Sequence, residues 1–502
     1  MGERTGGGSA RSGPAQAAVT WLFLRSLGLV FMFAFLSLHQ QVLGLIGSEG
    51  LLPVAKYLEA AAPHLGAGAR FLQIPTVFWL DASDRALALG ALFGIGLSVA
   101  LVCDLAPRLI LILLWGLYLS FVSVGQDFFS FQWDNLLLES AALAVFLAPG
   151  HLLPLPGGRI AAPPGLATFL ARWLLFRLLL ESGLSKLWGG DPSWRNLTAM
   201  ASYFETVPLP TPLSFHAHHL PPLVLRGMSL LTLAIEIPGS LFVLGPRGLR
   251  AAFFPVHLAF QLGIFLTGNY GIFNPLAVAL SLFLLSDRHL GWLRLLPRLR
   301  SFGMGAVESG LVHRVAAFLC ALVVLPLSVL GFLAMWRPDW IRAARVPARV
   351  TQIEAAAEPF RSVNRYHLFA QMTGVRDEVV IEGTSDGQTW RPYVFRWKPQ
   401  DPRRGPAFIA PFHPRLDFQL WFLTLNRGPL PAYFAALVRG LCERPAAMAR
   451  FFATDPFPLE PPAAIRIQVY RYRFATPAER RRESVVWRRE LTRSLGHVRC
   501  AR

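Results

Sequence analysis

Charged residues are scarce in this chain of 502 residues, making up 16% of it, against about 25% in an ordinary soluble protein. Lysine is nearly absent, occurring only at Lys56, Lys186 and Lys398, so the net charge of +18 comes from arginine. Hydrophobic residues account for 53% of the chain. This balance argues against a soluble globular protein and indicates an integral membrane protein.

Cysteine is also scarce, and none of the four cysteines stands in a C-x-x-C or Cys/His spacing typical of a metal or redox site. Cys103 and Cys320 lie in apolar runs, where we expect buried thiols. Cys442 and Cys500 could form a disulfide with each other, but their spacing leaves this open.

Catalytic signatures are missing: the chain has no G-x-S-x-G elbow, no Walker loop, no H-E-x-x-H and no dinucleotide-binding glycine pattern. We therefore expect no enzyme and no cofactor. The H-x-H-H run at His216, His218 and His219 lacks a regularly spaced acidic partner, so we predict no metal site. No basic–aromatic motif of a nucleic-acid module accompanies the positive charge, which favours membrane lipids over nucleic acid as the anionic partner.

Nine hydrophobic runs approach the length of about 20 residues that a membrane-spanning helix needs. They are residues 19–40, 86–104, 107–124, 133–149, 166–187, 223–245, 250–268, 271–286 and 311–335. Arginines concentrate in alternate loops, which places the amino terminus in the cytosol. Nine crossings then leave the rest of the chain outside the cytosol, although residues 336–502 carry 28 basic and 15 acidic side chains. Long domains translocate largely regardless of charge.

The predicted fold is an all-α polytopic membrane bundle of about nine transmembrane helices, followed by a soluble C-terminal domain that is mixed and β-rich. Residues 1–18 are predicted to be a disordered amino terminus. Residues 19–335 form the transmembrane domain with a Pro/His-rich external loop at 188–222, and residues 336–502 form the non-cytosolic domain. Within that domain we predict strands near Val379–Ile381, Tyr393–Trp397 and Ile465–Val469, helices at 411–425 and 430–442, and a solvated basic helix over 480–499.

Ionisable side chains inside the apolar runs form a candidate polar cluster, because such charges are costly in a bilayer and default to functional or paired roles. The cluster comprises Asp134, Glu139, Arg177, Glu181 and Glu236. Arg177 and Glu181 are four residues apart and would share one helix face. Two interpretations stay open: a polar cavity that binds a head group, a substrate or a proton, or a set of interhelical ion pairs.

Several long segments resemble the lipase maturation factor family. WRNLTAM and YFETVPLPTPLS, within residues 188–222, resemble a signature of that family. Further similar segments are GQDFFSFQWDNLLLES (125–140), TGNYGIFNPLAVALSLFLLSD (267–287), NRYHLFAQMTGVRDEVVIEGTSDGQTW (364–390), FRWKPQ (395–400), APFHPRLDFQLWF (410–422) and DPFPLEPPAAIRIQVYRYRF (455–474). The resemblance covers nearly the whole chain after its first twenty residues.

The resemblance implies a chaperone-like activity with no catalysis of its own. Animal members of the family are endoplasmic-reticulum membrane proteins that help secreted homodimeric lipases to fold, and their lumenal tail is associated with lipase engagement. In a bacterial host the same architecture would lie in the inner membrane, with a lipase or another secreted hydrolase as client. The alternatives are a membrane enzyme or lipid-binding protein that uses the polar cavity, or a transporter.

Aromatic side chains of the C-terminal domain are candidate client contacts under this reading. They are Trp390, Tyr393, Trp397, Phe418 and Trp421. The competing interpretation is that these side chains form the core of the domain.

Overall fold

The structure is a computed structural model that describes residues 16–66, 68–154, 162–291, 309–336, 348–425 and 428–500. We call residues 17–336 the helical part and residues 348–500 the tail. The predicted disorder of the amino terminus concerns residues that lie mostly outside the described ones. Its boundary at residue 18 is wrong by two positions, because the first helix begins at Ala17.

Helices make up the helical part almost completely. They are α1 (Ala17–Ile46), α2 (Val54–Ala61), α3 (Arg70–Gln73), α4 (Asp84–Val102), α5 (Pro107–Val124), α6 (Gln132–Leu147), α7 (Gly165–Trp188), α8 (Pro192–Arg195), α9 (Ala199–Thr206), α10 (Pro212–His218), α11 (Pro222–Glu236), α12 (Pro238–Leu244), α13 (Arg247–Thr267), α14 (Phe273–Ser281) and α15 (Leu311–Trp336). Short 3₁₀ turns occur at Ala62–His64, Val77–Trp79, Gln126–Phe129 and Leu282–Leu284.

Among the described residues, six helical segments are long and apolar enough to cross a membrane. They are α1, α4, α5, α11 together with α12, α13 and α15. The other three predicted runs are helical but do not meet that description: α6 has 16 residues, α7 carries four charged side chains, and α14 with its 3₁₀ turn is short. The structure therefore supports a polytopic helical protein but not the count of nine spans.

Small residues let the helices approach one another closely, as is common in membrane bundles. Where α1 crosses α4, a Cβ added at Gly94 would lie 2.5 Å from the Phe35 ring, and one added at Gly28 would lie 2.9 Å from Val102. A larger side chain at either position would push the two helices apart.

The tail contains a four-stranded antiparallel sheet with helices around it. The helices are α16 (Ala348–Ala357), α17 (Arg415–Leu420), α18 (Ala432–Glu443), α19 (Pro445–Met448) and α20 (Pro477–Glu483), and 3₁₀ turns occur at Glu358–Phe360, Trp421–Thr424 and Ala449–Phe451. The strands are β1 (Arg376–Thr384), β2 (Arg391–Pro392), β3 (Val394–Phe395), β4 (Phe452–Thr454), β5 (Ala464–Phe474) and β6 (Trp487–Arg499). The sheet order is β2-β1-β5-β6, and β3 pairs separately with β4. This confirms a strand-containing C-terminal region.

The predicted basic helix over 480–499 is wrong, because most of this stretch forms the edge strand β6. Its register on β5 is set where Trp487 pairs with Phe474, and the two rings stack with centroids 4.1 Å apart. This buried contact outweighs the local preference of a charged segment for helix. Arginines on an exposed edge strand oppose pairing with other chains.

A disulfide joins Cys442, in α18, to Cys500, just after β6, with the two Cα atoms 5.1 Å apart. It links the helical layer of the tail to the edge of its sheet and answers the question that the spacing left open. Cys320 is half-buried, whereas Cys103 is exposed. The expectation of a buried thiol is therefore wrong for Cys103, which follows the last residue of α4.

Candidate functional site

The polar cluster lies where the tail packs on the helical part, a region that we call the junction. Its first contact joins Asp134 at the start of α6 to Arg415 at the start of α17. Both terminal guanidinium nitrogens donate to the Asp134 carboxylate, at 2.8 and 2.9 Å, and one also donates to the Phe128 carbonyl at 2.6 Å. Tyr118 donates its hydroxyl to the same carboxylate. The Asp134 side chain is fully buried, and among the described residues its ion-pair partner is Arg415 of the tail.

The second contact is centred on Glu139 of α6. Arg177 of α7 forms a buried ion pair with one carboxylate oxygen. The other oxygen accepts hydrogen bonds from the backbone and side-chain nitrogens of Asn364, at 2.9 and 3.0 Å, and from the Tyr366 hydroxyl at 2.8 Å. The predicted pair of Arg177 with Glu181 is present but long, at 4.0 Å. The Glu181 carboxylate accepts a shorter hydrogen bond from the backbone N–H of Tyr366, at 2.7 Å.

The third contact pairs Lys186 of α7 with Glu236 at the end of α11, at 2.7 Å. Lys186 also donates to the Leu368 carbonyl of the tail at 2.9 Å. Next to it the Trp194 indole donates to the Phe369 carbonyl at 3.0 Å. The tail segment around residues 364–369 is thus hydrogen-bonded to charged side chains of two helices, α6 and α7.

All five residues of the predicted cluster therefore lie at the junction, but as three separate contacts. Sequence reasoning missed the partners that come from the tail, namely Arg415, Asn364 and Tyr366. All three lie within segments quoted for the family resemblance, but nothing in their local pattern indicated contact with a membrane helix. Each of the five charges has an opposite charge within 4.0 Å. This arrangement matches the ion-pair interpretation, extended from helix–helix to helix–tail pairing.

The segment 188–222, predicted as an external loop, folds into three short helices (α8 to α10) beneath the sheet of the tail. Arg376 of β1 is almost fully buried and donates to three carbonyls of this segment, those of Glu205, Val207 and Pro208, at 2.5 to 2.9 Å. Pro208 itself is buried. The proline-rich strip is thus a rigid connector that the tail covers.

No group of three or more His, Cys, Asp or Glu side chains that could hold a metal ion occurs in the part of the chain that the structure describes. Burial, together with the neighbouring His219, lowers the pKa of His218 to about 4. His218 is therefore neutral at pH 7, and its contact with Glu205 at 3.5 Å is not an ion pair there.

A cavity of about 880 Å³ lies beside the third contact, between the helical part and the tail. Its helical walls include Trp133, Ser182, Glu236 and Gln261, and the tail closes it with residues 367–374 and 418–425. This volume is in the upper part of the range of roughly 300–1,000 Å³ for small-molecule sites. The cavity is the place where the helical part and the tail together form a binding-sized space.

Comparison with known proteins gives two family matches that together span both parts of the chain. The lipase maturation factor transmembrane domain matches residues 18–292, and the lipase maturation factor C-terminal domain matches residues 362–496. The chain belongs to the lipase maturation factor family. Lipase maturation factor 2 of Homo sapiens is 33% identical over 93% of this chain and 81% of its own length. Lipase maturation factor 1 of Bos taurus is 32% identical, over 94% and 88% respectively. No solved structure matches the chain.

The family's C-terminal domain contains all five aromatic side chains predicted to contact a client. Tyr393 and Phe418 are buried, with 0% and 2% of their surface exposed. As placed, neither reaches the surface, so these two are corrected to core residues. Trp390, Trp397 and Trp421 are half-buried, and Arg466 packs over the Trp390 ring at 4.5 Å. The assignment of these three tryptophans as client contacts stays a prediction.

Proposed function

We propose that this chain is a membrane-anchored maturation factor that assists the folding or assembly of secreted lipases or related hydrolases. The observation that carries the proposal is that both the transmembrane and the C-terminal domain of the lipase maturation factor family match this chain. The junction supports the proposal, because the charged side chains of the cluster are paired with one another and with residues of the tail. The alternative of a membrane enzyme needs Arg177, Glu181 or Glu236 to face a water-accessible pocket unpaired. Glu236 does line the cavity, but it pairs with Lys186 at 2.7 Å, and Arg177 and Glu181 are paired as well.

We further propose nine transmembrane helices, with α6, α7 and α14 crossing beside the six apolar segments. Their ionic side chains are compensated by neighbours, which lowers the cost of placing them in a bilayer. The amino terminus is then cytosolic and residues 336–502 are non-cytosolic. The domain boundaries follow as residues 17–335 for the membrane part, which begins with the first helix at Ala17, and 336–502 for the tail.

The disulfide between Cys442 and Cys500 supports this sidedness, because disulfides persist in oxidising compartments and are rare in the cytosol. We place the tail in the lumen of the endoplasmic reticulum in a eukaryotic host and in the periplasm in a bacterial host. Ser385, in the exposed turn after β1, offers a test of this placement. Ser385→Cys should react with a membrane-impermeant maleimide from the non-cytosolic side, above the background of the unsubstituted chain. Labelling only from the cytosolic side would contradict the topology.

Trp390, Trp397 and Trp421 are proposed client contacts, because a partly folded client offers apolar surface and these rings are the partly exposed ones of the predicted set. The test is to co-express a secreted lipase of the native host with the chain and measure lipase activity per unit of lipase antigen. Loss of the chain should lower this ratio. Replacing the three tryptophans by alanine should lower it as well, with the chain still present at normal levels.

The matched control is Phe71→Ala, which removes an aromatic ring that is 39% exposed on the helical part. This variant should keep full lipase activity. An unchanged ratio in cells that lack the chain would overturn the proposed function. An unchanged ratio in the triple tryptophan variant alone would remove only the contact assignment.

A further inference from the structure

Three arginines come together where α7 and α13 begin, and we call them the arginine cluster. Arg172 lies about two turns into α7, and Arg247 and Arg250 lie in the first turn of α13. Arg172 donates to the side-chain oxygen of Gln16 at 3.3 Å, and Gln16 donates to the Leu285 carbonyl at 2.8 Å. The arginine cluster therefore lies at the same end of the bundle as the beginning of α1, the end that faces the cytosol in the proposed topology.

The positive charges of the arginine cluster have no negative charge to balance them within the described part of the chain. Arg250 is close enough to Arg172 for the two guanidinium groups to repel each other, and Arg247 repels Arg250 in the same way. No described carboxylate pairs with any of the three. The charges of the junction, by contrast, all have an opposite charge within 4.0 Å. Like charges held together in a partly buried place are unfavourable, so the arginine cluster favours the binding of an anion.

The nitrogen atoms that would hold an anion are accessible. Arg172 is half-buried, and its Nε and Nη2 atoms are open to solvent and make no hydrogen bond. Both terminal nitrogens of Arg250 are likewise accessible and without a partner among the described residues, whereas its Nε is buried. Arg247 is exposed. Guanidinium groups bind the oxygens of a phosphate with paired hydrogen bonds, so two helices here offer donors of the kind that a phosphate accepts.

Exposed apolar side chains adjoin the arginine cluster. Leu249 of α13 is 48% exposed, Val256 two turns further along the same helix is 43% exposed, and Leu244 at the end of α12 is 37% exposed. Because α13 is one of the helices long and apolar enough to cross a membrane, these side chains would face acyl chains. The head groups of the same leaflet then lie at the level where the helix begins, which is the level of the arginines. Basic pockets between transmembrane helices are suited to anionic lipid head groups.

We propose that the arginine cluster binds the phosphate of an anionic phospholipid in the adjacent leaflet. Arg172 and Arg250 donate to the phosphate oxygens, Arg247 adds to the attraction, and the acyl chains lie along the exposed face of α13. A zwitterionic head group carries the same phosphate together with a cation of its own. It therefore balances the charge of the arginine cluster less well than a head group with a net negative charge.

Equilibrium binding to the purified, delipidated full chain in detergent tests the site. Radiolabelled dioleoylphosphatidylglycerol is the probe, and dioleoylphosphatidylcholine, which has the same acyl chains, is the comparator. We expect saturable binding of phosphatidylglycerol that is tighter than that of phosphatidylcholine. Arg172→Gln and Arg250→Gln each remove charge-assisted hydrogen bonds, so each should weaken this binding by at least about tenfold. Millimolar inorganic phosphate should not displace the lipid, because it makes no contact with the apolar face of α13.

Arg314→Gln is the matched control. Arg314 is an exposed arginine at the start of α15. It lies at the same end of the bundle, because the neighbouring His313 contacts the Phe146 carbonyl at the end of α6 at 2.7 Å. This variant should bind phosphatidylglycerol like the unsubstituted chain. Equal losses in the control and in the two cluster variants would show only a general attraction of anions and would overturn the proposal.

Thermal unfolding of the same proteins separates lipid binding from a purely structural role. Phosphatidylglycerol should raise the unfolding midpoint of the unsubstituted chain and of Arg314→Gln, but not that of Arg172→Gln. Without lipid, Arg172→Gln should unfold at the same temperature as the unsubstituted chain or higher, since it relieves repulsion with Arg250. A lower midpoint without lipid, equal binding of the two lipids, or displacement by inorganic phosphate would each overturn the proposal. No client takes part in these measurements, so their outcome is independent of the proposed function.

Discussion

Replacing Arg415 by methionine tests whether a buried ion pair holds the tail on the helical part. Arg415 and Asp134 have side chains that are 4% and 0% exposed. Removing only the arginine leaves the Asp134 carboxylate buried with a single remaining donor, the Tyr118 hydroxyl. Breaking one side of such a pair costs about 3–5 kcal/mol, because the other charge stays uncompensated.

The local geometry agrees with this magnitude. Arg415 donates two hydrogen bonds to the carboxylate and one to the Phe128 carbonyl, and its guanidinium lies 3.7 Å from the centre of the Phe129 ring. Hydrogen bonds to charged groups contribute about 1.5–3 kcal/mol each, so two of them account for the expected loss. Asp134→Leu combined with Arg415→Met removes both charges and should recover most of it, since apolar replacements of buried pairs are often neutral.

The assay is denaturant unfolding of the full chain in detergent, followed by tryptophan fluorescence, together with protease cleavage of the tail under native conditions. Arg444→Met is the matched control, because Arg444 pairs with Glu49 of the helical part at 2.8 Å, but with side chains that are 36% and 62% exposed. This exposed pair should contribute at most about 1 kcal/mol. Equal losses in the Arg415 and Arg444 variants, or a double variant no more stable than Arg415→Met alone, would refute the reasoning.

Two other properties of the tail lead to predictions. Reducing the disulfide between Cys442 and Cys500 opens a loop of 58 residues and should cost about 4 kcal/mol in unfolding free energy, measured as a shift of the denaturation midpoint with and without reductant. Burial raises the pKa of Asp417 to about 6, against opposing hydrogen bonds from the N–H groups of Trp397 and Lys398. Between about pH 4 and pH 6 the folded chain therefore binds one more proton than the unfolded chain. As a result, the free energy of unfolding falls as the pH rises through this window. Asp417→Asn should lack this part of the slope, a difference of about 2 kcal/mol between pH 4 and pH 7. Parallel pH profiles for the two chains would contradict the assignment.

The sequence predicted the helices of the bundle well, because long apolar runs have few other ways to satisfy their backbone in a membrane. It also predicted the strand around Ile467, whose neighbours alternate between apolar and polar. It failed at Trp487–Arg499, where pairing with β5 decides the structure and the local composition does not. It located the five charges of the cluster but could not find Arg415 or Asn364 as partners, because these contacts join residues more than 200 positions apart.

These contacts also change how the tail should be tested. Deleting residues 336–502 would be the natural experiment if the tail were an independent domain attached to a stable bundle. The structure shows that the deletion would remove the cation of Asp134 and two partners of Glu139, Asn364 and Tyr366, leaving buried carboxylates with too few donors. Loss of lipase maturation after deletion would therefore have two causes, a missing client surface and a destabilised bundle. Substitutions on the exposed side of the tail, such as Trp390→Ala, separate them because they leave all three contacts of the junction in place.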